Sequence, residues 1–136
     1  MEATYLLDTN ICVFLFRGKY DINKKIKEVG WKNCCISEVT IAELKYGVEY
    51  SPNREAKEKM LNDFMQEITI VPFSDAIDKY TEEKARLRKA GLLIDDFDLL
   101  IACTAVVNEC ILVTDNVKHM ARVSGVQIEN WIEPWR

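Results

Sequence analysis

Long apolar runs are absent from this sequence, and so are repeats and low-complexity tracts. The longest apolar stretch, residues 99–107, is far shorter than the roughly 20 residues that cross a bilayer. The first residues lack the positive and apolar regions of a secretory signal. The sequence has only three prolines, and no Gly/Ser linker divides it. We therefore expect one domain over residues 1–136 that has no membrane span and stays in the cytoplasm.

The pattern of the cysteines favours neither a disulfide framework nor a zinc site. The five cysteines are an odd number without a Cys-x-x-Cys pair, and they lie mostly in apolar segments: Cys12, Cys34, Cys35, Cys103 and Cys110. We interpret them as buried thiols in a reducing compartment. His119 is the only histidine, and no serine or cysteine sits in a nucleophile elbow. A histidine-based hydrolytic mechanism is therefore disfavoured, and we expect His119 on the surface or in a loop.

An excess of positive charge is also missing. The chain has 18 Lys and Arg against 22 Asp and Glu, a formal charge of −4. This balance argues against a general nucleic-acid coat protein, which is normally basic. It does not exclude an enzyme whose carboxylates hold a metal ion and which binds phosphates through that ion and a local basic patch.

Short apolar blocks alternate with helical patterns along the whole chain. The blocks predict strands at 5–7, 34–36, 68–71 and 111–113, and the patterns predict helices at 11–16, 21–30, 37–46, 53–66, 75–90 and 96–108. Such alternation predicts an α/β fold, in which a mainly parallel sheet of four to five strands is covered by helices on both faces. Ligands then gather at the carboxyl ends of the strands. Asp8 and Asp115 each follow an apolar strand, so both are predicted at that edge.

Three acids stand within or against apolar segments: Asp8, Glu43 and Asp98. An isolated ionised carboxylate in such surroundings is costly unless something compensates its charge. Asp8 has three interpretations, which are helix N-cap, metal ligand and partner in a buried salt bridge. Glu43 has two interpretations, a functional residue or a solvent-facing helix residue.

The remaining polar candidates have structural alternatives too. Asp98 belongs to an acidic cluster in which Asp95 or Asp96 is the better helix cap, so Asp98 is left in the first turn. Asp115 and Asn116 end a strand and open a turn, as Asx residues do for structural reasons alone.

Taken together, the acids predict a site for a hard divalent cation, because converging carboxylates repel one another unless a cation lies between them. The expected chemistry is phosphodiester hydrolysis. Asp8 and Asp98 are the predicted direct ligands, and Glu43 either ligates the ion or orients the attacking water. Thr9, Asn10 and Thr114 are expected to hold the ligands in place by hydrogen bonds, and Asn116 could hold a water through its carbonyl oxygen.

The same residues resemble a known family, the PIN-domain nucleases, and within it the VapC-type toxins of bacterial toxin–antitoxin pairs. The likeness covers nearly the whole chain in the right order: Leu7 to Asn10, Ser37 to Leu44 with Gly47, Gly91 to Ala102, Val113 to Asn116 and Val126 to Trp131. It implies an α/β/α sandwich, RNA cleavage that depends on Mg²⁺ or Mn²⁺, and a homodimer neutralised by an antitoxin. Many relatives have an acid where this chain has Asn116, and this chain has an additional acid at the preceding position, Asp115. The fourth ligand position is therefore left open between Asp115 and Asn116.

A basic segment before Gly91 is the predicted contact for the RNA backbone. Its four cations are Lys84, Arg86, Arg88 and Lys89. The alternative is a solvated helix face with pairs such as Glu82 with Arg86. The three tryptophans are interpreted as packing or interface residues.

Two other functions compete with an endoribonuclease. One is a metal-dependent phosphohydrolase that acts on DNA or on small phosphate esters, since an acidic metal site does not distinguish these substrates. The other is a non-catalytic binding module in which the acids are structural caps.

Overall fold

The computed structural model describes residues 2–135, and its centre is a five-stranded sheet. The strands are β1 (Tyr5–Leu7), β2 (Cys34–Ser37), β3 (Thr69–Val71), β4 (Ile111–Val113) and β5 (Gln127–Glu129). They lie in the order β3-β2-β1-β4-β5, and every neighbouring pair is parallel. The predicted parallel sheet is therefore confirmed, with the first strand of the chain at its middle.

Helices connect the strands, as parallel pairing requires. Their bounds are α1 (Thr9–Phe16), α2 (Ile22–Val29), α3 (Glu38–Tyr50), α4 (Arg54–Glu67), α5 (Ile77–Ala90), α6 (Asp96–Val107) and α7 (Val117–Met120). Among residues 2–135, no helix combines the length and the apolar character needed to cross a membrane.

Alternation along the strands divides the apolar side chains between two cores. Leu6 and Leu112 face a core that includes Leu87 of α5 and the apolar side of α6. Leu7 and Val113, the next residue of each strand, belong to the other core, with α1, α2 and α4. Helices thus cover both faces of the sheet, which gives the predicted three-layer α/β/α sandwich.

The predicted elements all form, and their ends differ from the prediction by at most four residues. Helix α3 continues to Tyr50 rather than ending at Tyr46, and α1 begins at Thr9 rather than Ile11. Two elements were not predicted from the sequence. Strand β5 is an edge strand with no apolar run, and α7 has only four residues. Neither is long enough to produce a periodic pattern.

All five cysteines are buried and free, as predicted. Cys35 and Cys110 lie with their Sγ atoms 3.9 Å apart. They stand on or beside β2 and β4, which are separated by β1. Two strand spacings of about 4.8 Å hold their backbones farther apart than a disulfide spans, so these thiols stay unlinked.

Candidate active site

The carboxyl ends of β1 and β4 meet at the middle of the sheet edge. Asp8 directly follows β1, and its backbone N–H donates to the Val113 carbonyl at 2.9 Å. Thr114 directly follows β4. The central position of both strands therefore brings residues that are far apart in sequence to the same place.

Asp8 is only 4% exposed, and both of its carboxylate oxygens accept hydrogen bonds. Oδ1 accepts from the Thr9 backbone N–H at 2.8 Å, and Oδ2 accepts from Thr114 Oγ1 at 2.7 Å. Asp8 is thus the N-cap of α1 as well as the central acid. Burial raises the pKa of Asp8, the hydrogen bonds from Thr114 and Thr9 oppose that rise, and the charge of Glu43 adds to it.

Glu43 reaches the same edge from α3. This helix begins after β2, where Ser37 accepts from the Val39 backbone N–H at 3.1 Å. Glu43 Oε1 accepts from Thr9 Oγ1 at 2.7 Å, and Thr9 Oγ1 lies 3.0 Å from Thr40 Oγ1. Thr9 therefore connects Glu43 to Asp8, because its hydroxyl donates to Glu43 and its backbone N–H donates to Asp8.

Asp98 lies in the first turn of α6. Asp95 caps that helix by accepting from the Phe97 backbone N–H at 3.1 Å, which leaves Asp98 half-buried at the sheet edge, as expected. Burial, followed by the charges of Asp8, Asp95 and Glu43, raises the pKa of Asp98 to about 6. Asp8, Glu43 and Asp98 therefore lie close enough to repel one another.

The two candidates for the fourth position differ in what they contact. Asn116 Nδ2 donates to Asp98 Oδ2 at 3.2 Å, whereas Asp115 Oδ1 accepts from Asn130 Nδ2 at 3.2 Å. The Asn116 backbone N–H also donates to Thr114 Oγ1 at 3.0 Å. Asn116 is therefore in direct contact with a predicted metal ligand.

The donor set suits Mg²⁺ or Mn²⁺ in its chemistry, since it consists of carboxylate and amide oxygens. Asn10, beside Asp8 and Thr9 in the chain, has a buried Oδ1 that accepts no hydrogen bond within residues 2–135. In the same part of the chain, no three His, Cys, Asp or Glu side chains converge in the arrangement that a metal ion needs. Binding an ion would therefore require the acids to move closer together.

The predicted RNA-contacting cations on α5 are partly engaged by protein groups. Lys84 Nζ lies 2.9 Å from Asp96 Oδ1, and Arg86 makes two hydrogen bonds to Glu83 and one to the Arg122 carbonyl. Arg88 and Lys89 are exposed in the last turn of the helix. Their role in RNA binding stays a prediction.

Three residues that contact the site, Thr40, His119 and Asn130, were not predicted from the sequence to belong to it. Thr40 precedes Glu43 by three positions, so both occupy one helix face. His119 is exposed as expected, but its Nδ1 lies 3.0 Å from Asn116 Oδ1, three residues away. Helical spacing could have suggested Thr40, whereas Asn130 and its contact with Asp115 depend on β5, which was not predicted.

The fold and the position of the acids agree with one class of protein. A family model described as PIN domain matches residues 5–126. The chain therefore belongs to the PIN-domain family.

Within that family, particular relatives are similar over nearly the full length. Ribonuclease VapC2 of Rickettsia felis is 37% identical over 130 residues, covering 93% of this chain and 97% of the relative. The tRNA(fMet)-specific endonuclease VapC of Shigella flexneri is 32% identical over 128 residues, covering 93% of this chain and 97% of the relative.

Solved VapBC structures are also similar to this chain over nearly its full length. VapBC2 from Rickettsia felis, in a crystal structure bound to a DNA fragment from their promoter, superposes with a TM-score of 0.87 at 33% identity over 94% of this chain and 98% of that one. The DNA-bound VapBC from Salmonella typhimurium superposes with a TM-score of 0.88 at 27% identity, over 95% of this chain and 98% of that one.

Proposed function

We propose that this protein is an endoribonuclease dependent on Mg²⁺ or Mn²⁺, and the toxin of a toxin–antitoxin pair. The observation that carries the proposal is Asp8, a carboxylate only 4% exposed at the middle of the sheet edge, with two further acids close enough to repel it. Membership of the PIN-domain family and the similarity to VapC ribonucleases support RNA as the substrate. The whole chain, residues 1–136, would form the nuclease domain and act on RNA in the cytoplasm.

In this proposal Asp8, Glu43 and Asp98 hold the ion. When bound, the ion supplies the positive charge that polarises a phosphate and lowers the pKa of a water molecule. Thr114 and Thr9 keep Asp8 and Glu43 in place through the hydrogen bonds described above. Asn10 Oδ1 would accept a hydrogen bond from a water molecule of the site.

Asn116 rather than Asp115 would complete the site. Its amide N–H donates to Asp98, and its carbonyl oxygen is paired with His119. If His119 Nδ1 carries a proton, that contact fixes the amide with its N–H group toward Asp98. Asp115 would then be a positioning residue that holds Asn130, although a direct role as ligand stays a prediction.

The antitoxin of this proposal docks beside Glu43. A cavity of about 300 Å³ lies between α1, α3 and α4, and Glu43 and Thr9 stand at its edge. Its lining is mostly apolar, with Val13, Leu44 and Leu61 among the residues. An apolar partner helix seated there would bring a basic side chain to the acids, neutralise them and block the ion. Co-purification with an untagged, neighbour-encoded protein that suppresses cleavage would support this partner, and failure of every adjacent gene product to bind would contradict it.

The homodimer implied by the family resemblance stays a prediction. A surface suited to a second copy includes five large apolar side chains that are 38–46% exposed: Phe73, Ile77, Leu92, Leu93 and Phe97. They lie on α5, on α6 or in the segments on either side of α5, and α5 contacts α6. Exposed apolar side chains grouped in this way are typical of interfaces. Sedimentation equilibrium would check the stoichiometry.

The decisive experiment compares the protein with its Asp98→Asn variant on total cellular RNA with Mn²⁺, followed by mapping of the new RNA ends. We expect discrete cuts that the variant loses. Asp95→Asn is the matched control, because it lies in the same acidic cluster and asparagine still caps the helix. Equal cleavage by the protein and by Asp98→Asn would identify a contaminating nuclease and refute the proposal.

The same preparations separate the competing functions. Cleavage of single-stranded DNA or p-nitrophenyl phosphate in place of RNA would indicate a phosphohydrolase of another class. Titration calorimetry with Mn²⁺ tests the binding-module alternative, which requires no specific binding and no loss of binding on Asp8→Asn.

A further inference from the structure

A second basic surface runs from the end of α1 through α2. Residues 17–28 contain five cations and two acids in a chain whose net charge is −4: Arg17, Lys19, Lys24, Lys25 and Lys27 against Asp21 and Glu28. Within the described residues 2–135, none of these five cations forms an ion pair. They differ in this respect from Lys84 and Arg86 on α5. Their charge is therefore available to a ligand.

The α2 lysines border a cavity that also contains aromatic rings. We call it the α2 groove. It has a volume of about 390 Å³ and lies between α2 and the C-terminal segment, with Tyr20, Lys24, Lys25, Trp131 and Trp135 in its lining. A second cavity of about 360 Å³ shares Lys24 with it and adds Lys19 and Lys27. The two cavities thus form one continuous basic surface.

The tryptophans of the α2 groove differ in exposure. Trp131 is 6% exposed and packs on Tyr5, with their ring centroids 5.6 Å apart. Lys25 Nζ lies 5.9 Å from the centroid of the Trp131 ring. Trp135 is 56% exposed, so its ring has a free face for a ligand. Exposed aromatic rings beside lysines are the combination that binds single-stranded nucleic acid, because bases stack on the rings and phosphates pair with the ammonium groups.

Acids also line the α2 groove, namely Asp21, Glu28 and Glu129. Glu129 accepts from Trp131 Nε1 at 2.9 Å, so part of its hydrogen-bonding capacity is used within the protein. The two cavities together are lined by four lysines, Lys19, Lys24, Lys25 and Lys27, against these three acids. Their combined lining therefore keeps a small net positive charge, which favours a polyanion.

A chain of contacts connects the α2 groove to the acids. Asn130 lines the groove and donates to Asp115 Oδ1 at 3.2 Å. Asp115 directly follows Thr114, whose hydroxyl donates to Asp8 Oδ2 at 2.7 Å. A strand of RNA lying in the groove would therefore be continuous with the site where cleavage is proposed.

We propose that the α2 groove binds the single-stranded RNA that leads to the acids. Lys24 and Lys25 hold its phosphates, and Trp135 stacks on one of its bases. This inference rests on the proposed ribonuclease function and adds to it a substrate-binding surface on the opposite face of the sheet from α5.

The test is RNA binding in EDTA, which removes divalent ions and so prevents the proposed cleavage. The probe is a fluorescein-labelled single-stranded RNA of about 12 nucleotides, followed by anisotropy across a range of KCl concentrations. For the Lys24→Gln/Lys25→Gln variant, the slope of log K against log[salt] should become shallower by about 1.4, since each phosphate contact contributes about 0.7 for single strands. Trp135→Ala should weaken binding by about 5-fold or more, and Trp135→Phe should recover most of that loss.

The matched control is Lys84→Gln/Lys89→Gln, which removes the same charge from α5. A salt slope that changes in this variant and not in Lys24→Gln/Lys25→Gln would overturn the proposal in favour of α5. Unchanged RNA binding by the α2 variant with weaker capture of the antitoxin would assign the groove to a protein partner and overturn it too. If the unmodified protein binds no RNA in EDTA, the groove proposal fails, whereas the proposed function fails only if the protein does not cleave RNA with Mn²⁺. Circular dichroism verifies that each variant is folded.

Discussion

Replacing Asp98 by asparagine should stabilise the protein in EDTA while weakening its response to Mn²⁺. The charged form of Asp98 is disfavoured first by burial and then by the charges of Asp8, Asp95 and Glu43. Asparagine has nearly the same size without the charge, and its carbonyl oxygen can still accept from Asn116. The charge of Asp98, which the proposed activity needs, therefore lowers the stability of the folded protein when no metal ion is present.

The magnitude follows from the pKa of Asp98, which rises from 3.8 to about 6. Because the folded protein binds this proton more tightly than the unfolded chain does, the resulting stability is fully present below pH 3.8 and is lost as the pH rises through about 6. At about 1.36 kcal/mol per pKa unit, the loss reaches about 3 kcal/mol at pH 8 and about half of that at pH 5. These are upper limits, because the amide of Asn116 offsets part of the charge. For a domain of this size they correspond to about 10 °C in Tm at pH 8.

The assay is thermal unfolding followed by circular dichroism in EDTA at pH 5 and pH 8. Asp98→Asn should melt above the unmodified protein, with the larger difference at pH 8. Asp63→Asn is the control, because Asp63 is an exposed partner of Lys59 at 3.0 Å and its loss should not raise Tm. Added Mn²⁺ should raise the Tm of the unmodified protein more than that of Asp98→Asn. An Asp98→Asn variant that melts at or below the unmodified protein at pH 8 would refute the reasoning.

Two other substitutions test the groups around the acids. Thr114→Val removes the hydroxyl that donates to Asp8 and should weaken Mn²⁺ binding by about 10-fold in calorimetry, whereas Thr104→Val, which removes a buried hydroxyl bonded within α6, should leave it unchanged. Glu83→Gln should lower the free energy of unfolding in urea by about 1–3 kcal/mol at pH 7, because Arg86 loses a charged partner. The hydrogen bond from Arg86 lowers the pKa of Glu83 to about 2, so the stability that this group contributes is present above pH 4.5 and is lost toward pH 2. If the free energy of unfolding falls as much between pH 4.5 and pH 2 in Glu83→Gln as in the unmodified protein, that role of Glu83 is contradicted.

The fold was predictable because its main elements carry strong local signals. Strands β1 and β4 are apolar blocks that are followed at once by polar residues, Asp8 and Thr114, and α6 is apolar on nearly all sides. Strand β5 has no such signal, because it pairs only with β4 and its residues are partly exposed. Its formation depends on the edge that β4 offers rather than on its own composition.

The location of the acids was also predictable, since parallel strands bring their carboxyl ends to one edge. Their hydrogen-bond partners were less so. The contact of Thr9 with Glu43 joins residues 34 positions apart, and that of Asn116 with Asp98 joins residues 18 apart, so neither leaves a local pattern. The basic surface on α2 was missed for a related reason. Its cations are interspersed with acids in the sequence, and only the structure reveals which cations are paired.

The central position of β1 has a consequence for the protein while it is being translated. Asp8 leaves the ribosome well before the residues that hold it, because β4 and the hydroxyl of Thr114 come from a segment about 106 positions later. Long-range pairing of this kind forms only after the distant segment has been made. A nascent chain therefore cannot assemble this site until the segment that contains β4 and Thr114 has emerged from the ribosome.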